Sequence, residues 1–189
     1  MKKFLPFLTL IFLISLIGIS TYKLNKKQEI AQDLQTSEGP EEFGIHFVKT
    51  NIELENFSLP DLYDEKEFFA KKDLLGKYSV VNFFASWCTT CRAEHEVLLR
   101  LRDAKIVDIY GVAWRDIDEN TKSYLATSGN PFTRVIKDSR GLFTKLLNMN
   151  AIPETLIIDP KGNVVMRFRG NLQEFSIDEI KGFLQERGI

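Results

Sequence analysis

Residues 80–91 read Val80-Val81-Asn82-Phe83-Phe84-Ala85-Ser86-Trp87-Cys88-Thr89-Thr90-Cys91, and this stretch decides the fold. Its first half is β-branched and aromatic, and apolar throughout except for Asn82, as expected of a strand covered on both faces. After Cys91 the period changes. Ala93, Val97, Leu101 and Ala104 recur at helical spacing, with Glu94, Glu96, Arg100 and Arg102 off that stripe. The stretch therefore reads as a buried strand that turns into a helix, with a C-x-x-C at the helix start.

Cys88 and Cys91 are the only cysteines in 189 residues. They pair with each other or with another molecule. A bond across two intervening residues closes a very small loop and would be a weak structural staple. A structural zinc site is the other plain reading, but it needs about four ligands, and the only histidines are His46 and His95. The third reading is dithiol redox chemistry, the use that thioredoxin-like proteins make of a C-x-x-C on a strand–turn–helix unit.

Working outward toward the N-terminus, Phe4–Tyr22 runs for 19 residues without a charge, close to the roughly 20 that cross a bilayer. A cleaved signal peptide would have a shorter apolar region and a small-x-small exit. Ile17-Gly18-Ile19-Ser20-Thr21-Tyr22-Lys23 matches that poorly. We expect an uncleaved signal-anchor over residues 1–23. Lysines flank both sides, so charge alone does not orient it. Residues 24–48 form a polar, acidic connector with the features of a tether. His46 falls in it or at the edge of the first strand, where a solvated histidine is expected.

A single globular domain is expected over residues 49–189. The first 27 residues hold five lysines and no acid, which leaves 20 basic against 26 acidic side chains, formally −6, in the remainder. That balance argues against nucleic acid or an anionic membrane surface as partner of the domain. Its pattern alternates. Strands are expected at Ile52–Leu59, Phe68-Phe69, Ile106–Trp114, Thr133–Ile136, Thr155–Ile158 and Val164–Phe168. The last two flank the hairpin signal Asp159-Pro160-Lys161-Gly162-Asn163. Helices are expected at Asp118–Ser128, stopped by Gly129-Asn130-Pro131, and at Leu142–Leu147, with Leu142, Phe143, Leu146 and Leu147 inward. A final helix would open on a capping box, Ser176-Ile177-Asp178-Glu179, and bury Ile177, Ile180, Phe183 and Leu184. Such alternation indicates an α/β architecture, a central mixed sheet flanked by helices.

Four segments then carry a family resemblance: LLGKYSVVNFFASWCTTCRAEH (Leu74–His95), YGVAWRD (Tyr110–Asp116), GNPF (Gly129–Phe132) and IPETLIID (Ile152–Asp159). Together they make the domain resemble the CcmG/DsbE-type membrane-anchored thioredoxin-like proteins of bacterial cytochrome c maturation. The chain departs from the usual pattern at Thr89-Thr90, at Glu96 and at Asn148-Met149-Asn150-Ala151. The resemblance implies a thioredoxin-like fold, a single-pass anchor in the bacterial inner membrane, a periplasmic domain and a monomer. It also implies a protein-disulfide reductase whose substrate is apocytochrome c or a haem-attachment thiol protein. Electrons would come from a DsbD/CcdA-like membrane reductant. No cofactor-binding motif is read beside the redox-active Cys88–Cys91 pair. A TlpA/ResA-like reductase with other substrates, and a non-catalytic metal-binding module, are the alternative functions.

For the site, the resemblance makes Cys88 the exposed, attacking cysteine and Cys91 the resolving one. Backbone N–H groups at the helix start would lower the Cys88 pKa. The resemblance also makes Ile152-Pro153 a cis-proline loop facing the cysteines, with the Ile152 backbone free to pair with an extended substrate. Trp87 becomes a partly exposed contact surface, with a simple core aromatic as the alternative. Glu94 and Glu154 would stand near the thiols, where negative charge disfavours a thiolate and makes the pair reducing. Asn82 reads as a hydrogen-bonded core polar group, and Arg92 as an exposed, salt-bridging arginine.

Overall fold

The computed structural model describes residues 46–189. The expected anchor and most of the tether lie outside the described residues, among which no helix is long and apolar enough to cross a membrane. The chain order is β1 (His46–Glu53), β2 (Ser58–Pro60), β3 (Phe68–Ala70), β4 (Ser79–Phe84), α1 (Thr89–Ala93), α2 (His95–Asp103) and β5 (Asp108–Trp114). It continues with α3 (Asp118–Ser128), β6 (Arg134–Asp138), α4 (Leu142–Leu146), β7 (Glu154–Ile158), β8 (Asn163–Arg169) and α5 (Glu174–Gln185). Six strands form one sheet in the order β1-β8-β7-β4-β5-β6. β4, β5 and β6 run parallel, while β7 opposes β4 and pairs antiparallel with β8, which in turn pairs antiparallel with β1. This is the expected mixed sheet flanked by helices.

All six residues of β4 are buried, because the sheet is covered on both faces. Alternation sorts them. Val80 and Phe84 join the core under α1, α2 and α5, with Leu98, Leu101, Ile180 and Phe183. Val81 and Phe83 join the opposite core with Phe69, Phe143 and Leu147. Strand β7 obeys the same parity: Ile157 lies on the first face, Leu156 and Ile158 on the second. Asn82 is on the first face, between Val80 and Phe84.

Several local expectations are corrected. The early strand is two strands, broken after Glu53, where Leu54 and Phe57 turn inward and Phe57 stacks on Phe143 at 4.1 Å. β1 begins at His46, ahead of Lys49. The Cys helix breaks at Glu94 into α1 and α2. Of the four residues expected inward at α4 only Phe143 and Leu147 are buried; Leu142 and Leu146 are exposed, and Thr144 takes an inward place. One and a half turns cannot bury both rows. Helix α5 opens at Glu174, so Ser176 lies inside its first turn and its hydroxyl accepts the Gln173 amide at 3.0 Å. The inward set of α5 is as expected, and α3 has the bounds read from sequence.

Candidate active site

The site sits where β4 ends and α1 begins. Cys88 is the N-cap of α1, four residues past the end of β4, and is bonded to Cys91 across a Cα–Cα distance of 5.3 Å. The Cys91 amide donates to the Cys88 sulfur at 3.1 Å. The Thr90 hydroxyl lies 3.3 Å from the same sulfur and is able to donate to it. Among the described residues no charged group hydrogen-bonds that sulfur. Cys88 is not exposed in this disulfide state: it is 4% accessible, against 3% for Cys91. Exposure at the motif falls instead to Trp87, at 57%, so Trp87 is a surface residue and not a core aromatic. Its indole N–H donates to the Arg115 carbonyl at 3.3 Å, and its ring lies 6.1 Å from that of Trp114.

Glu94 closes the short helix that Cys88 opens and is wholly buried. One carboxyl oxygen accepts from Asn82 Nδ2 at 2.7 Å and the other from the Leu172 amide at 2.7 Å. Burial pushes its pKa up to about 8, against the smaller opposing pull of these two hydrogen bonds. Glu94 is thus neither a solvated helix charge nor a full negative charge at neutral pH. Asn82 also donates to Thr155 Oγ1 at 2.9 Å, while its own Oδ1 is buried without a partner. It is the hydrogen-bonded core polar group expected.

The loop before β7 carries a cis Ile152-Pro153 bond, and Ile152 packs against both cores, one of which holds the two cysteines. Glu154 needs correction. Its Cα pairs with that of Phe83, on the opposite sheet face from Asn82 and Glu94. There it forms a buried ion pair with Arg167, and Arg169 lies 3.6 Å away. Its charge is met by guanidinium groups behind the sheet and is not aimed at the thiols. Arg167 is 1% exposed and also donates to the Leu147 carbonyl at 3.0 Å; burial lowers its pKa to about 10.

Sequence reading missed the shell around Ser86. The Ser86 amide and hydroxyl donate to the two Asp116 oxygens at 2.6 and 2.9 Å, and Arg92 donates twice to the Ser86 carbonyl at 3.0 and 2.8 Å. Among the described residues Arg92 makes no salt bridge; its guanidinium lies 5.4 Å from the Tyr124 ring centre. Tyr124 donates to His95 Nδ1 at 2.7 Å, and His95 Nε2 faces the Ser128 and Gly129 carbonyls at 3.2 and 3.0 Å. The hydroxyl of Tyr124 is pushed up to about 12, chiefly by burial. The only sequence signal for this shell was that R-A-E-H, W-R-D and G-N-P-F occur together. Among the described residues no group of three or more His, Cys, Asp and Glu is placed to hold a metal ion.

A mixed sheet, a bonded C-x-x-C at a strand-to-helix turn and a cis-proline loop before β7 define a thioredoxin-like protein of the dithiol type. The redoxin family matches residues 49–183, and the chain belongs to that family. It is 37% identical over 99 residues to the thiol:disulfide interchange protein HelX of Rhodobacter capsulatus, covering 52% of this chain and 56% of HelX. It is 34% identical over 122 residues to the thiol:disulfide interchange protein DsbE of Pasteurella multocida, covering 65% and 67%. The solved DsbF of MTB, in mixed oxidised and reduced forms, superposes with a TM-score of 0.57 at 27% identity, over 64% of this chain and 89% of that one. The match to HelX thus spans little more than half of that relative's length.

Proposed function

We propose that the chain is a thiol:disulfide oxidoreductase that works as a reductant, with Cys88 as nucleophile and Cys91 as resolving thiol. The observation that carries the direction is the neutral setting of the Cys88 sulfur, met only by the Cys91 amide and the Thr90 hydroxyl. A strong oxidant stabilises its reduced, thiolate form, and a sulfur without a cationic partner gains little of that stabilisation. In the reaction the Cys88 thiolate attacks one sulfur of a substrate disulfide and expels the other as a thiolate. Cys91 then loses its proton and attacks Cys88, releasing the second substrate thiol and forming the Cys88–Cys91 bond. The substrate gains the two electrons that the pair loses. Trp87 and the Ile152-Pro153 loop flank the pair as the docking surface.

The finer assignment rests on the family resemblance carried by the four sequence segments and on the N-terminal sequence. Residues 1–23 are an uncleaved anchor in the bacterial inner membrane, 24–45 a tether, and the folded domain works in the periplasm as a monomer. The substrate is the oxidised C-x-x-C of apocytochrome c or a haem-attachment thiol protein. A DsbD/CcdA-like membrane dithiol recharges the pair, which needs no further cofactor. The test is a Cys91→Ser variant of the full chain, which stops after the first attack. Expected is a reducible adduct to a cytochrome c maturation substrate; recovery of no thiol-linked partner overturns the assignment. A reduction potential near that of the oxidant DsbA, about −120 mV, overturns the reductant direction.

A further inference from the structure

We propose that Asp116 is a positioning residue for the reacting cysteine, holding the Ser86-Trp87 approach to Cys88 through both of its carboxylate oxygens. The inference rests on Cys88 being the nucleophile, as above. Strand β5 ends at Trp114, beside the end of β4 in the parallel pair. The next residue, Arg115, takes a left-handed backbone at φ 47° although it is not glycine, a conformation held only where the surroundings impose it. That turn aims two consecutive groups at the Cys loop. The Arg115 carbonyl accepts the Trp87 indole N–H, and the Asp116 carboxylate receives the Ser86 amide and hydroxyl.

Every polar atom of Ser86 is occupied from two sides, Asp116 taking the amide and hydroxyl and Arg92 the carbonyl. Asp116 is itself braced. Thr121, buried in α3, donates its hydroxyl to Oδ2 at 2.8 Å, and the Ile117 amide donates to Oδ1 at 2.8 Å. Ser86 stands two residues before Cys88, so a shift of Ser86 moves the reacting sulfur and the Trp87 face together. Small misplacement of a reacting group costs rate steeply. The W-R-D exit of β5 thereby gains a role that its place in the sheet does not require.

The test uses the full chain as wild type, Asp116→Asn and Ser86→Ala, with insulin as the disulfide substrate and a direct thiolate titration of Cys88. Asn keeps the shape, but in either orientation its amide nitrogen must face a backbone N–H, that of Ser86 or that of Ile117. Expected is a fall of about tenfold in kcat/KM for folded Asp116→Asn, equivalent to ~1.4 kcal/mol, with no fall in the Cys88 pKa. Ser86→Ala, which keeps the amide bond, should lose roughly threefold, equivalent to ~0.7 kcal/mol, and it carries the test if Asp116→Asn does not fold. Unchanged kcat/KM in folded variants with lowered melting temperature would show a purely structural role and overturn the proposal. A faster reaction with a lowered thiol pKa would show that Asp116 acts only through its charge, and overturns it equally. A wild type that reduces no disulfide sinks the assigned function itself, a different outcome from either.

Discussion

Replacing Glu94 by Gln should remove a pH dependence of stability that this one side chain imposes. The folded pKa lies near 8, against 4.5 for the same group in the unfolded chain, because the folded protein shields it wholly from water. Between those values the folded state holds a proton that the unfolded state has released. Stability therefore falls as pH rises, by about 1.4 kcal/mol per pH unit for one group. The effect is absent below about pH 4.5 and complete above about pH 8, and sums to roughly 4 to 5 kcal/mol across the window. Gln has nearly the same shape and keeps an acceptor for one of the two donors, Asn82 Nδ2 and the Leu172 amide. Losing the other costs about 1 kcal/mol at low pH. The variant should thus be slightly less stable than wild type at pH 5 and more stable at pH 9, with the curves crossing between. Guanidinium unfolding of the oxidised protein at several pH values measures this. A wild-type minus variant difference that stays constant from pH 5 to 9 refutes the reasoning, since it would mean that Glu94 ionises alike in both states.

Three further outcomes follow from the packing. Arg167→Met strands the Glu154 carboxylate behind the sheet with only Arg169 beside it, and should cost roughly 3 to 5 kcal/mol; a Glu154→Gln/Arg167→Met double variant recovers part of this, and additive losses in the double-mutant cycle would contradict the pairing. Trp87→Ala should change stability by less than about 0.5 kcal/mol because the side chain is largely exposed, yet slow insulin reduction severalfold; an unchanged rate removes Trp87 from the docking surface. Gly111→Ala places a methyl 2.6 Å from the Phe132 ring, which stacks on Phe84 at 4.8 Å, and should cost roughly 1 to 3 kcal/mol in thermal or denaturant unfolding.

The strand-to-helix turn, the two cysteines and the β7–β8 hairpin were legible because each has a local cause: a period change, a motif, a turn signature. The side chains that set the site's electrostatics were less so. Glu-Thr-Leu-Ile-Ile at 154–158 is buried on both faces, so it has no polar face to reveal which residues point toward Cys88. Glu154 was the expected neighbour of the thiols, and only the register with β4 shows that Thr155, not Glu154, shares the face of Asn82. Nothing in Val-Val-Met-Arg-Phe-Arg marks Arg167 as buried; its partner Glu154 on the neighbouring strand explains its burial. The bonds that tie Asp116 to Ser86 and Tyr124 to His95 span about 30 residues each. Nothing local announces them.

The structure also changes why the pair should be reducing. Two carboxylates near the thiols were expected to repel a thiolate, but the sheet separates them and neutralises each differently. Glu154 is matched by Arg167 on the far face, and Glu94 on the near face holds its proton up to about pH 8. Neither presents a full charge to Cys88 at neutral pH, so repulsion is not the operative cause. What supports the proposed reductant direction is then a Cys88 sulfur with two neutral donors and, among the described residues, no cationic partner. Glu94 is then better understood as a stored proton than as a repelling charge. Its partner Asn82 has one buried oxygen without a donor. Half a turn of that amide would set the oxygen toward Glu94, where only the protonated acid can donate, and toward the Thr155 hydroxyl. That orientation would exchange one unpartnered oxygen for unpartnered N–H groups, so the bonds that tie Glu94 to β4 and β7 are those Asn82 Nδ2 donates to the acid and to Thr155 Oγ1.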